Sequence, residues 1–404
     1  MKTKITLLYS LILLSAVANS VMAAPYNHDC KTTEEFRERN GLPGFFQKAR
    51  AQTPVRVAYF GGSITAAGGW RVKTMDWLKN RFPGTPFTEI NAAIPGTGTG
   101  FGACRLDTDI LAFRPDLVFF EFRVNGGEGF EQQSVEGIIR HIRAAYPETD
   151  ICFIYTTGFW MRDEINAGRN TAFGQVMEQL ADYYGIPSID LGIEVFRQEQ
   201  DGKLQFKGDN PENGKLLFSK DGTHPTDAGH GLYTEVLARC LEKMDTANRS
   251  TPGKMPPPLF SQPWEKGALI PVERISKSSG WETVDIRNDP VYVNDRTRTD
   301  AMLRGAVKCS AAGESITLSW EGTTLGFNDI PYGNPVVLEA LIDGTNTVTL
   351  TRTQNDMKKK FARYCFLPQQ KSGPHTLTLT VKELPEGQSF YLGQFMQAGP
   401  LASE

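Results

Sequence analysis

No CxxC pair occurs in this 404-residue chain, and its six cysteines, Cys30, Cys104, Cys152, Cys240, Cys309 and Cys365, are widely spread. The spacing that builds zinc sites is therefore missing. Positive charge is not in excess either. Forty-three Lys and Arg stand against 46 Asp and Glu, a net of −3. That balance argues against nucleic acid or an anionic membrane surface as a partner. Beyond the N-terminus, no apolar run reaches the ~18 residues that a membrane-spanning helix requires. No repeat recurs at a solenoid period, which excludes stacked-repeat architectures.

What is present begins with a targeting pattern. MKTK is a basic start, ITLLYSLILLSAVA is an apolar core, and NSVMAA offers small residues for cleavage after Ala23 or Ala24. This is the signature of a secretory signal peptide over 1–24, so the mature protein is expected to be exported, periplasmic or secreted. An oxidising compartment permits disulfides, and Cys309 with Cys365 is the first pair to consider. Cys104 and Cys152 lie in apolar segments and read as small buried residues.

From residue 55 to about 245, strand and helix patterns alternate. VRVAYF, PFTEINAAI, DLVFFEF, DICFIYTT and IPSIDL read as strands, with amphipathic helices between them and a last helix from about Asp227 to Met244. Such alternation implies βαβ units and a mostly parallel sheet. Residues 246–263 are rich in proline and aperiodic, which is linker composition. From 264 to 404 the runs are short and β-rich, among them SITLSW, VVLEALID and HTLTLTVKEL, which predicts an all-β sandwich or jelly roll. The chain thus reads as signal peptide (1–24), α/β domain (25–245), linker (246–263) and β-sandwich (264–404).

In a parallel α/β sheet, ligands sit outside the carboxyl ends of the strands. The loops there are Gly61-Gly62-Ser63, Pro95-Gly96-Thr97-Gly98 and Arg123-Val124-Asn125-Gly126-Gly127, with Asp221-Gly222-Thr223-His224-Pro225 just before the last helix. Together they offer a hydroxyl, backbone N–H groups, a side-chain amide and an Asp/His pair. Ser63 alone could simply cap the next helix, since serine is a preferred N-cap. The other loops give it a second reading. A serine hydroxyl needs a base to become a nucleophile, and an imidazole with an ordinary pKa of about 6.5 suits that task. A carboxylate on the other ring nitrogen fixes the tautomer. Glycine-loop N–H groups and an Asn amide can hold the oxyanion that forms.

On these four loops the sequence resembles the SGNH hydrolases, also called GDSL-type esterases and lipases, over roughly residues 53–243. GGSIT resembles the nucleophile block, NAAIPGTGTGFGACRL the second block, FRVNGG the third and DGTHPTDAGH the last. The resemblance implies a flavodoxin-like three-layer α/β/α sandwich with Ser63 as nucleophile, His224 as base and Asp221 as its orienting acid. It implies an oxyanion hole of Ser63, Gly96 and Asn125, with Gly98 as the nearby alternative to Gly96. It implies no cofactor and no metal. One position departs from the family: the third block usually reads Asn-Asp, and here Gly126 follows Asn125.

Several residues carry two readings. Trp70 and Arg71 could start a helix or contact substrate. Arg123 could be a buried ion-pair partner or a ligand for an anionic group, and Gly98 could line the site. Gly98-x-Gly100-x-x-Ala103, with Glu121 downstream, loosely fits a dinucleotide fingerprint, but it follows the second strand of the domain rather than the first. His28, His141, His230 and His375 receive no role. Trp281, Trp320, Phe327 and Tyr332 in the β region could stack on sugars or fill a core. The expected function is an exported serine esterase that removes O-acyl, above all O-acetyl, groups from a polysaccharide or oligosaccharide. A lipase, thioesterase or acyltransferase of the same family is the alternative, as is a non-catalytic glycan-binding surface protein. Composition leaves the oligomeric state open.

Overall fold

The computed structural model describes residues 35–167, 169–245, 254–293, 298–354 and 358–400. The signal-peptide segment, Cys30 and His28 lie outside the described residues, as do positions 246–253.

The N-terminal part is built on a six-stranded sheet. Its strands are β1 (Phe36–Arg37), β2 (Val55–Gly61), β3 (Phe87–Asn91), β4 (Leu117–Glu121), β5 (Asp150–Tyr155) and β6 (Ser188–Asp190), in the order β1-β6-β5-β4-β2-β3. β1 runs antiparallel to β6 and every other pairing is parallel. Counted along the chain, the parallel strands therefore follow the flavodoxin-like order 2-1-3-4-5. The direction of winding reverses between β2 and β4, where a crevice opens at the strand ends.

Strand alternation sorts side chains onto two faces. Val57, Tyr59, Phe119 and Ile154 join a core on one side of the sheet. Ala58, Phe60, Phe120 and Phe153 join another on the opposite side. With helices covering both faces, every residue of β4 is buried. This is why DLVFFEF reads as a nearly unbroken apolar run. The result is the three-layer α/β/α arrangement.

Residues 268–398 form two antiparallel sheets. The strands alternate cleanly: Ser315–Gly322 buries every second residue, and so does Val336–Ile342. Their inward residues meet those of the second sheet, with Ile316 and Trp320 from one and Phe327 and Phe395 from the other. Trp281, Trp320 and Phe327 are buried, so these aromatics fill the sandwich core. Cys309 and Cys365 are both free thiols. Their strands, Val307–Cys309 and Arg363–Phe366, are separated in one sheet by two others. Three inter-strand spacings, about 14 Å, are far beyond disulfide reach. The pairing considered from sequence is thereby corrected.

The described part of the proline-rich stretch packs closely. Leu259 and Phe260 N–H groups donate to the Glu136 carboxylate, and Pro256 O accepts from Arg140. Trp264 is buried, its N–H donates to Gln133 O, and its ring meets Phe130 and Phe366. One apolar core accordingly contains Phe101 and Ile138 from the α/β part and Met302, Tyr391 and Met396 from the β part. No helix among the described residues is long and apolar enough to cross a membrane.

Candidate active site

β2 ends at the switch point, and its two glycines explain how a hydroxyl comes to stand there. A Cβ on Gly61 would lie 2.5 Å from Glu121 O, and one on Gly62 would lie 2.1 Å from Asn125 Oδ1. Only glycine lets the turn pass so close to the end of β4. Gly62 is the N-cap of the short helix Ser63–Ala66, and no side chain caps it. Ser63 is therefore not a capping residue, and its hydroxyl is turned elsewhere.

It meets His224. Ser63 Oγ lies 2.8 Å from His224 Nε2, and His224 Nδ1 lies 2.7 Å from Asp221 Oδ2. The Asp221-Gly222-Thr223-His224 turn folds acid onto imidazole through Gly222, whose φ of +86° suits glycine. Asp221 Oδ1 accepts the N–H groups of Thr223 and His224, each at 2.8 Å. Ser219 Oγ is 3.0 Å away. Partial burial works against the Asp221 charge, but bonds from the His224 ring, those two N–H groups and the Ser219 hydroxyl outweigh it. The carboxyl is held well below the usual range, so it stays ionised. An ionised Asp221 places the proton on Nδ1 and leaves the Nε2 lone pair facing Ser63 Oγ–H. The site is open: the side chain of His224 is 48% exposed.

Two loops supply donors. Asn125 follows β4 in the 3-10 turn Arg123–Asn125, and its Oδ1 is buried against Gly62 without a donor. Its Nδ2 meets no acceptor among the described residues. Gly96, on the loop after β3, has a φ of +65°, is exposed, and its N–H meets no acceptor among the described residues. A cavity of about 530 Å³ opens over it, bounded by Glu128 on one side and by Arg298, Arg363, Tyr364 and Phe366 of the β part on the other.

The remaining candidates lie elsewhere. Trp70 is fully buried against Tyr59 and Phe119, and its backbone N–H donates to His230 Nδ1. Arg71 is 7% exposed, pairs with Glu89 and donates to Thr65 O. Arg123 is 1% exposed and grips Asp190 with both terminal nitrogens at 2.6 and 2.9 Å. These three are structural, which corrects the substrate-contact reading for each. Gly98 is the N-cap of the helix Thr99–Asp109, and its N–H is already taken by Tyr364 Oη at 3.0 Å. Glu128 accepts the next free donor, Gly100 N–H, at 2.8 Å. The glycine run that loosely fits a phosphate cradle thus faces a carboxylate of its own chain.

Sequence reasoning did not find Glu128, Arg298 or Tyr364, and it weighed Glu121 only as the acid of a dinucleotide fingerprint. Glu121 left a signal, a lone charge in the apolar run DLVFFEF. It is fully buried directly behind the nucleophile turn and accepts from Thr65 Oγ1 at 2.7 Å and Thr156 Oγ1 at 2.6 Å. The other three come together only through the β part, which no local pattern encodes. Two exposed aromatics were also missed. Phe159 and Trp160 stand beside the acid–base turn, with Phe159 N–H donating to Gly222 O at 2.8 Å.

A hydroxyl–imidazole–carboxylate line at the switch point of a 2-1-3-4-5 sheet, with free donors on two adjacent loops, defines an α/β protein of the acyl-transfer type. Residues 59–232 match the model of the GDSL-like Lipase/Acylhydrolase family. The match implies an ester hydrolase. None of the curated proteins matches the sequence. The fold is similar to that of a two-domain esterase (CEX) active on acetylated mannans, co-crystallized with mannopentaose. The TM-score is 0.73 and the identity 23%, over 89% of this chain and 94% of that one. A second crystal structure of a two-domain esterase (CEX) active on acetylated mannans gives a TM-score of 0.70 at 24% identity, over 88% and 94%. At such identity the likeness is one of fold, and it spans both the α/β and the β parts.

Proposed function

We propose that this protein is an exported serine esterase that removes O-acyl groups, chiefly O-acetyl, from a polysaccharide or its fragments. The observation that carries the proposal is the Ser63–His224–Asp221 line. In this mechanism Ser63 Oγ attacks the ester carbonyl as His224 Nε2 takes its proton. The oxyanion that forms accepts hydrogen bonds from the N–H groups of Ser63 and Gly96 and from Asn125 Nδ2. Each such donor is typically worth ~3 kcal/mol in the transition state. His224 then returns the proton to the departing sugar oxygen, the C–O bond breaks, and an acyl-Ser63 ester remains. Water loses a proton to the same Nε2 and attacks that ester, releasing the acid and restoring Ser63.

Two features favour a carbohydrate over a lipid ester. The site is open rather than tunnelled, which suits a polymer chain lying across it. Phe159 and Trp160 are partly exposed aromatic residues beside the acid–base turn, and an amphipathic aromatic of this kind, Trp160 above all, suits contact with a pyranose ring. The solved relative's activity on acetylated mannans points the same way. Export is proposed on the N-terminal pattern, and sequencing the N-terminus of the mature protein recovered outside the cytoplasm would check it.

The decisive experiment compares wild type with Ser63→Ala on p-nitrophenyl acetate and on acetylated mannan, with released acetate measured directly. The expected loss in kcat is on the order of 10⁴-fold or more. Undiminished turnover by Ser63→Ala would reject the mechanism. Hydrolysis of long-chain esters in preference to acetyl esters would instead move the protein to the lipase reading.

A further inference from the structure

The loop that carries Gly96 follows β3, the edge strand of its sheet. Ile94 N–H donates to Gly61 O at 3.0 Å, and Thr97 Oγ1 donates back to Ile94 O at 2.9 Å. Towards the two ends of the loop, Arg105 Nη1 donates to Ala92 O at 2.6 Å and Gly102 N–H to Gly98 O at 3.1 Å; between them, Pro95 O and Gly98 N–H are tied by the β part of the chain. Arg298 Nη1 donates to Pro95 O at 2.5 Å, while its Nε donates to Ala362 O at 2.7 Å. Arg298 is 7% exposed. A Cβ on Gly96 would stand 2.4 Å from Nη1, so the guanidinium fills the space where a side chain would be.

On the other flank, Tyr364 Oη accepts Gly98 N–H at 3.0 Å and donates to the Glu128 carboxylate. The second oxygen of Glu128 accepts Gly100 N–H at 2.8 Å. The Tyr364 ring stacks on Phe101 with centroids 5.5 Å apart and planes 20° from parallel. The Pro95–Gly96 peptide and, one unit further on, the Thr97–Gly98 peptide are thus each held by a side chain located more than 200 residues later in the chain.

We infer that Arg298 and Tyr364 are positioning residues for catalysis: the β domain sets the oxyanion loop, and the α/β domain does not complete its oxyanion hole alone. The inference rests on the proposed esterase reading. Its physical basis is that an oxyanion donor works only when preorganised, and that a displacement of about 1 Å can cost ~10²-fold in rate. Neither residue needs to touch substrate. Their loss therefore acts on the transition state and leaves ground-state binding of a small ester in place.

The test uses the full-length chain carrying Tyr364→Phe, which keeps the stacked ring and removes the hydroxyl, or Arg298→Lys, which keeps one donor and the charge. kcat and KM are measured on p-nitrophenyl acetate, too small to depend on the interdomain cleft, alongside melting curves. The expected result in each is a 10- to 100-fold fall in kcat, a KM within about threefold of wild type, and a folded protein at the assay temperature. A kcat within twofold of wild type in either variant overturns the inference. So does a loss of kcat confined to variants already melting at the assay temperature. Ser63→Ala run in parallel separates the two levels. If it too retains full turnover, the esterase reading fails. If it is dead while Tyr364→Phe and Arg298→Lys are normal, only the positioning role fails.

Discussion

Gly126 is the residue at which this chain departs from the family's usual Asn-Asp, and the structure supplies a reason. A Cβ at that position would lie 2.5 Å from the Phe173 ring, at the start of the helix Ala172–Tyr184. The space an aspartate would occupy is filled by an aromatic side chain that is itself 7% exposed. Overpacking of this kind typically costs 1–3 kcal/mol. Gly126→Asp is therefore expected to lower stability by about that amount in chemical denaturation, and Phe173→Ala to cost less in the Gly126→Asp background than in wild type. A single Gly126→Asp variant as stable as wild type would show that Phe173 moves aside freely. At this scale the sequence was legible where chemistry sits in short contiguous blocks. Ser63 and Asn125 could be singled out because each lies beside its own glycine turn, and Asp221 and His224 because they share one. Trp70, Arg71 and Arg123 could not be sorted, because polar residues next to a site look the same whether they face solvent or a buried partner.

At the scale of elements, Glu121 ties three strand ends together. It closes β4, and it accepts from Thr65 in the helix after β2 and from Thr156 just beyond β5. Burial raises its pKa to about 7, against the opposing pull of the Thr156, Thr65 and Gly62 donors and of Arg123. Its unfolded-state value is about 4.5. Between those values the folded chain holds a proton that the unfolded chain releases, so this group makes stability fall as pH rises from 4.5 to 7. At 1.36 kcal/mol per unit the full effect is on the order of 3 kcal/mol. Glu121→Gln should remove that slope. Urea denaturation of both proteins at pH 5 and pH 7.5 should find the variant's relative stability higher at the upper pH. Parallel slopes would mean that Glu121 titrates normally or is ionised throughout. The long strands and helices were readable because their periodicity is strong. The helices Pro43–Arg50 and Leu191–Gln200, the parallel pair Leu204–Lys207 and Leu216–Ser219, and the strand Arg363–Phe366 were not. These pieces are short, and tertiary packing rather than local pattern holds them.

For the molecule as a whole, the unexpected feature is that the two parts are not beads on a string. Proline-rich composition reads as a linker, yet the described residues 254–263 lie along the helix Glu131–Ala145, and Trp264 seals the seam. A Cβ on Gly137 would lie 2.4 Å from the Trp264 backbone, so the strap and the helix touch main chain to side-chain site. Apolar side chains of both parts merge into one cluster across this seam. Separating the parts would expose that cluster, a cost paid only when both unfold together. The chain should therefore melt in one cooperative transition, with calorimetric and van't Hoff enthalpies in agreement, although independent domains would give two. Trp264→Ala removes a large buried ring and should lower stability by about 3–5 kcal/mol. It should also split the transition or broaden it, because the ring joins Phe130 of one part to Phe366 of the other. Two resolved transitions in the wild-type scan would contradict the shared core. They would also weaken the coupling that lets Arg298 and Tyr364 hold the Gly96 loop, since a β domain that comes away on its own cannot fix an oxyanion donor.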